Sequence, residues 1–192
     1  MLLDIINQLN WIDIIIVFLL LRVVYIATSK GVINELFKLM GVIFALFIAL
    51  QYFTALSDAA RSKTSFKNMP LQFVDFLFFL VLVPVSYLLF VVIREAFQRL
   101  VKTEIAPMFD KWAGFCLGVI RGLLISSLIA FALVISSIGY MKDSVRSSYL
   151  GRRMFYLSTS TYTTVYEGII SKFSNQEKIN KTISEIRNDF DS

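Results

Sequence analysis

Apolar positions dominate the first part of the chain and fall into four runs, at about residues 9–28, 36–56, 71–93 and 112–138. A helix that crosses a bilayer needs roughly 20 mainly apolar residues, and each run meets or approaches that length. Short polar connections separate the runs. The pattern predicts an all-α fold, in which residues 1–139 form a polytopic membrane domain with a four-helix transmembrane bundle.

The chain becomes more polar after residue 139, but apolar side chains continue at helical spacing. Positions three or four residues apart fall on one face of a helix. Two such sets stand in residues 140–192, namely Tyr162, Val165, Tyr166, Ile169, Ile170 and Phe173, then Ile179, Ile183, Ile186 and Phe190. We therefore predict a C-terminal tail of amphipathic helices that lies on the membrane, against the bundle or against a partner.

The composition agrees with a membrane protein, since 57% of the residues are hydrophobic and 17% are charged. Ordinary soluble domains have about 25% charged residues. The net charge of +5 comes from Lys and Arg in short clusters between the apolar runs, which is typical of membrane loops and not of a nucleic-acid-binding face. We expect the lipid bilayer as partner and no nucleic acid, with a homo-oligomer, a membrane-protein partner and a small solute left open.

The chain contains no histidine, which removes the commonest general base and the commonest metal ligand. Its single cysteine, Cys116, lies in an apolar run, so we interpret it as a small, buried packing residue. A single cysteine forms no intrachain disulfide. We expect no catalytic residue, no bound metal and no cofactor, and therefore a protein that is not an enzyme.

A row of small residues marks one face of the last apolar run. Gly114, Gly118 and Gly122 are spaced by four, and at about 100° per residue they share a helix face with Asp110 and Arg121. Glycines at this interval let a neighbouring helix approach closely. The row predicts tight helix packing, but the pattern does not say which helix packs there.

Arg121 lies well inside the same run. An unpaired arginine near the bilayer centre costs at least about 2.5–3.5 kcal/mol on insertion scales. The side chain therefore reaches the interface, pairs with a carboxylate inside the bundle, or belongs to a solute or ion pathway. Candidate partners are Asp13, Glu35 and Asp75. Glu35 also has a simpler interpretation, because a carboxylate near a helix N-terminus is stabilised by the helix dipole.

Three short segments carry a distinctive order and spacing. They are Trp11-Ile12-Asp13, Lys30-Gly31-Val32-Ile33-Asn34-Glu35, and Asp110-Lys111-Trp112-Ala113-Gly114-Phe115-Cys116-Leu117-Gly118-Val119-Ile120-Arg121-Gly122-Leu123. Together with the four-run layout, they resemble the colicin V production protein family over about residues 11–138, and the last segment is the most specific. Lys30 departs from the family pattern, which usually has Arg before the glycine, and the tail beyond Tyr140 is longer than the family leads us to expect.

The resemblance implies a multi-pass protein of the bacterial inner membrane with both termini in the periplasm. It also implies a link to production or export of a peptide toxin and to envelope homeostasis, with no assigned chemistry. Lys and Arg are almost evenly divided between the loops of the two sides, so the charge distribution leaves the orientation open.

Two functional hypotheses follow. The first is a non-enzymatic, accessory or channel-like component of toxin production and envelope maintenance; the second is a small-solute transporter or channel. The candidate functional or structural charges are Asp13, Lys30, Glu35, Asp75, Asp110 and Arg121. Convergence of these charges at one depth of the bundle favours a solute pathway, whereas charges that scatter to its two ends favour the first hypothesis.

Overall fold

The structure, a computed structural model, describes residues 10–28, 32–63, 65–98, 107–173 and 178–192. Within these ranges every regular element is helical, which confirms the all-α prediction for this part of the chain. The helices are α1 (Trp11–Ala27), α2 (Val32–Lys63), α3 (Leu71–Gln98), α4 (Pro107–Ile135), α5 (Gly139–Ser147), α6 (Tyr149–Val165) and α7 (Lys181–Asp191). A 3-10 turn, Ser65–Asn68, follows α2, and α6 continues through a π-helical segment, Tyr166–Ile170, into Ser171–Phe173.

The apolar runs locate the long helices but not their ends. Helix α2 continues to Lys63, beyond the predicted end at residue 56, because residues 57–63 are polar yet include good helix formers such as alanine, arginine and lysine. Helix α4 begins at Pro107, since proline fits the first helical position. It ends before the predicted residue 138, because Ile138 is extended and caps α5.

Three helices in the described ranges are long and apolar enough to cross a membrane, judged by length and composition: Val32–Ser62, Leu71–Glu95 and Lys111–Ile135. Helix α1 is apolar as well, but it has 17 residues. That number corresponds to about 25 Å, at the lower end of the range for a spanning helix. The four-span count therefore stays a prediction.

Aromatic rings join the long helices to the tail in one core. Phe131 of α4 contacts Phe79 of α3, with ring centroids 5.2 Å apart, and stacks on Phe155 of α6 at 5.9 Å. Phe155 in turn contacts Phe190 of α7 at 4.3 Å, and Phe53 of α2 completes the cluster. All five side chains are buried. The tail helices thus pack against the bundle and supply part of its core.

A polar contact fixes the tail at a second point. The Tyr162 hydroxyl donates to the Gln51 side chain of α2 and accepts from the backbone N–H of Asn180 at 2.9 Å. The Asn180 side chain donates to the carbonyl of Leu50 at 2.8 Å. Not every apolar position of the tail is covered, however, because Phe173 is 87% exposed.

Helix α3 is the least buried of the three candidate spans. Only 11% of its most apolar stretch is buried, against 61% for α4. Its exposed side chains are almost all apolar, as expected of a helix that faces lipid.

Cys116 of α4 is exposed, so its interpretation as a buried packing residue was wrong. It lies two residues before Gly118, about 200° around α4 from the packed face.

Candidate functional site

Arg121 and Glu35 form an ion pair inside the bundle. Arg121 Nη2 lies 3.1 Å from Glu35 Oε2, and the two residues are 7% and 0% exposed. Lys38, one turn after Glu35 on α2, donates to Glu35 Oε1 at 2.5 Å. Of the three carboxylates that the sequence offered as partners of Arg121, the structure therefore selects Glu35.

The ion pair leaves hydrogen-bonding capacity unused. Arg121 Nη2 and Glu35 Oε2 are close, but Oε2 accepts no hydrogen bond within the described residues. The Nε of Arg121 is buried without a partner in the same part of the chain. With Lys38, the cluster has two cations and one anion. Counted over the described side chains, it therefore holds a net charge of about +1 in a place where an unpaired charge is costly.

The glycine row of α4 lies against α1. A Cβ added to Gly118 would overlap the Cβ of Ala27, and one added to Gly122 would lie 2.9 Å from Leu20 Cδ2. Gly114 is buried on the same helix. The sequence indicated a close contact on this face, and the structure identifies α1 as the helix that makes it.

Asp13 connects the start of α1 to the start of α6. Its Oδ1 accepts hydrogen bonds from the Ser148 hydroxyl and the Leu150 backbone N–H, both at 2.7 Å. Its Oδ2 accepts from the backbone N–H of Asn10 at 2.8 Å, so the same carboxylate closes a capping box on α1. Asp13 is fully buried. A carboxylate at a helix N-terminus is favourable, so this contact stabilises the junction between α5 and α6.

The side chains around Asp13 reinforce this junction. Asn10 Nδ2 donates to the carbonyl of Ser144 at 3.0 Å and to the Ser147 hydroxyl at 3.1 Å. The Trp11 ring stacks on Tyr140, with centroids 6.4 Å apart. Sequence reasoning missed this set of contacts. The available signal was Ser148 as the N-cap residue of α6, where its hydroxyl accepts from Gly151 N at 2.8 Å.

Asp75 lies in a different environment. It accepts a hydrogen bond from the Ser57 hydroxyl, which links the start of α3 to α2. Asp75 also lines a cavity of about 460 Å³ beside the tail. In that cavity Lys142 of α5 pairs with Asp189 of α7, with Nζ and Oδ2 2.6 Å apart. Asp75 thus belongs to the end of the bundle that holds the tail.

The candidate charges do not converge on one point. Glu35 and Arg121 meet near the glycine row, which contacts Ala27 of α1. Asp13 precedes Ala27 by 14 residues, so it lies about 21 Å away along α1. Asp75 is bound to Ser57, 22 residues along α2 from Glu35, or about 33 Å. Lys30 and Gly31 lie outside the described residues, and so does the side chain of Asp110, whose backbone belongs to α4.

A second, larger cavity of about 620 Å³ lies between α2, α3 and α4. Arg121 is its one charged lining residue among the described side chains. The remaining lining residues are apolar or aromatic: Val42, Ala45, Phe76, Phe79, Leu80, Val83, Pro84, Tyr87, Ile125, Leu128, Ile129, Ala132 and Leu133. The buried ion pair therefore borders an apolar space.

Comparison with known proteins identifies the family. No curated protein and no solved structure matches the chain significantly. The family model described as "Colicin V production protein" matches residues 12–159. The match begins in α1 and extends past residue 138, where the resemblance in the sequence stopped, so it includes α5 and the Asp13 contacts with α6. The chain belongs to the colicin V production protein family.

Proposed function

We propose that this protein is a non-enzymatic component of the bacterial inner membrane that supports the production or export of a colicin V-type toxin and envelope homeostasis. Family membership supports the general assignment, and the apolar helices support a membrane location. The proposal adds the export step, the inner membrane and the envelope role.

The observation that carries the proposal is the way three carboxylates of the long helices are used. Asp13 accepts from Ser148, Glu35 pairs with Arg121, and Asp75 accepts from Ser57. Each contact joins two helices. The contacts of Asp13 and Asp75 lie at the end of the bundle that holds the tail, and the Glu35–Arg121 pair lies roughly 20–30 Å away along the helices. A solute pathway or a catalytic centre would bring such groups together around one position. Scattered, structurally engaged charges are better explained by a protein that acts through its assembled shape.

We infer four spans, with α1 as the first. Helix α1 turns large apolar side chains away from the bundle, as a lipid-facing helix does: Ile14, Val17, Phe18, Leu21 and Tyr25. An even number of spans leaves both termini on one side, and the family resemblance favours the periplasm. Reporter fusions at both ends test this topology. An active cytoplasmic reporter fused to Ser192 would contradict it.

The function is tested in a toxin-producing bacterial host that lacks its own family member. Expression of this chain should restore the amount of secreted toxin and the resistance to detergent. Asp13→Asn should restore both less well, because it weakens the junction of α1 with α6. The matched control is Asp143→Asn, since Asp143 is an exposed residue of α5. If toxin secretion and detergent resistance are the same with and without expression of this chain, the proposal is overturned.

A further inference from the structure

The cavity between α2, α3 and α4 has one polar end. On α4 its lining begins at Arg121 and ends at Leu133, 12 residues later, or about 18 Å along the helix axis. On α3, which runs the other way, the lining extends from Tyr87 back to Phe76. The space is therefore elongated, with Arg121 at one end and an apolar wall along the rest.

Among the side chains that the structure describes, the polar end carries more positive than negative charge. Two cations, Arg121 and Lys38, share the single carboxylate of Glu35. The Nε of Arg121 is buried and has no hydrogen-bond partner among the described residues. Burial of an unsatisfied donor and of an uncompensated charge is unfavourable. One additional negative charge at this end would compensate the second cation.

The cavity is accessible from the lipid side of the bundle. Leu80 of α3 lines it and is 51% exposed, and Pro84, one turn later, is also exposed. Helix α3 is the least buried of the three candidate spans, so this side of the cavity faces lipid. A ligand that is itself dissolved in the bilayer reaches the cavity without crossing water.

We propose that this cavity binds a long-chain carboxylate, with the carboxylate at Arg121 and the hydrocarbon chain along the apolar wall towards Leu133. The planar guanidinium matches the geometry of a carboxylate. The volume of about 620 Å³ lies in the range of roughly 300–1,000 Å³ that small-molecule sites occupy. A polar solute would leave its hydrogen-bonding groups unpaired against this wall. The inference goes beyond the proposed function and does not depend on it.

The test uses the full chain in phosphatidylcholine nanodiscs and a palmitate that carries a photoreactive diazirine on its chain. After irradiation, mass spectrometry identifies the labelled residues, and unlabelled palmitate, its methyl ester and phosphatidylglycerol serve as competitors. Ala132→Phe places a bulky ring in the apolar part of the cavity without a change in charge, because Ala132 lines it. Ala55→Phe is the matched control, since Ala55 is exposed on α2 and does not line the cavity.

We expect labelling of residues that line the cavity, competition by palmitate, and at least about tenfold weaker competition by the methyl ester. Labelling should fall by a similar factor in Ala132→Phe and stay unchanged in Ala55→Phe. Equal competition by the ester would overturn the role of Arg121, and this arm needs no variant that could misfold. Stronger competition by phosphatidylglycerol than by palmitate would assign the site to a two-chain lipid instead. Normal labelling of a folded Ala132→Phe protein would exclude the cavity.

Discussion

The replacement of Glu35 by Gln is the sharpest test of the buried charge cluster. Glu35 is fully buried and is the shared partner of Lys38 and Arg121. Its neutralisation leaves Arg121, which is 7% exposed, without an anionic partner among the described side chains. Removal of one member of a buried ion pair costs about 3–5 kcal/mol, because an uncompensated charge stays behind. We expect Glu35→Gln to lower the free energy of unfolding by about that amount.

Arg121→Gln should cost less, although it removes the other member of the same pair. Glu35 keeps Lys38 at 2.5 Å, so its charge remains compensated. What is lost is one contact between charged groups, and no uncompensated carboxylate stays behind, so the loss should fall below the roughly 3–5 kcal/mol expected for Glu35→Gln. Lys38→Gln should have the smallest effect of the three, because Arg121 still compensates Glu35 and the Lys38 side chain is 16% exposed.

The assay is reversible unfolding in mixed detergent micelles with an increasing fraction of dodecyl sulfate, followed by far-UV circular dichroism. The double variant Glu35→Gln, Arg121→Gln completes a cycle with the two single variants. The double variant removes both buried charges and leaves only Lys38, whose side chain is 16% exposed, without its carboxylate. Its loss should therefore be smaller than the sum of the single losses by about 0.5–3 kcal/mol. A smaller loss for Glu35→Gln than for Arg121→Gln, or strict additivity in the cycle, would refute the reasoning.

Three further predictions concern the contacts of α1 and the tail. Gly118→Ala should lower the free energy of unfolding by about 1–3 kcal/mol, because the added methyl group forces α1 and α4 apart; Gly139→Ala, where a Cβ meets nothing within 4 Å, is the control, and equal stability of the two variants would contradict close packing. Asp13→Asn should speed hydrogen exchange in the first turn of α6 relative to Asp143→Asn, and identical exchange in both would remove Asp13 from that junction. Removal of residues 139–192 should leave membrane insertion intact but lower thermal stability in detergent, since the tail supplies part of the aromatic core; an unchanged midpoint would contradict this.

The sequence predicted the helices and the closely packed face of α4, but not which helix packs on that face. The spacing of Gly114, Gly118 and Gly122 defines one side of α4, because helical periodicity is a local property. Which helix lies on that side depends on how separate segments assemble, and only the structure shows that Ala27 of α1 is there. For the same reason Arg121 had three candidate partners until the structure was known.

The tail shows a second limit. The apolar spacing in residues 140–192 predicts helical faces, and Ile183 and Phe190 are indeed buried. The same spacing includes Phe173, which is 87% exposed. A periodic pattern marks a face that is suited to burial, but it contains no information on what covers that face. The contact of Asp13 with Ser148 joins residues 135 positions apart in sequence, which places it beyond any local pattern.

These contacts together explain how α1 is held in the fold in spite of its length. With 17 residues, or about 25 Å, it is shorter than a hydrocarbon core of about 30 Å. Near its end, Gly118 and Gly122 of α4 bring the two backbones close, and at its start Asp13 is hydrogen-bonded inside the protein. Hydrogen bonds within the protein therefore compensate the burial of that carboxylate. The short helix depends on contacts with α4 and α6 at its two ends, so changes at either end should act on the same element.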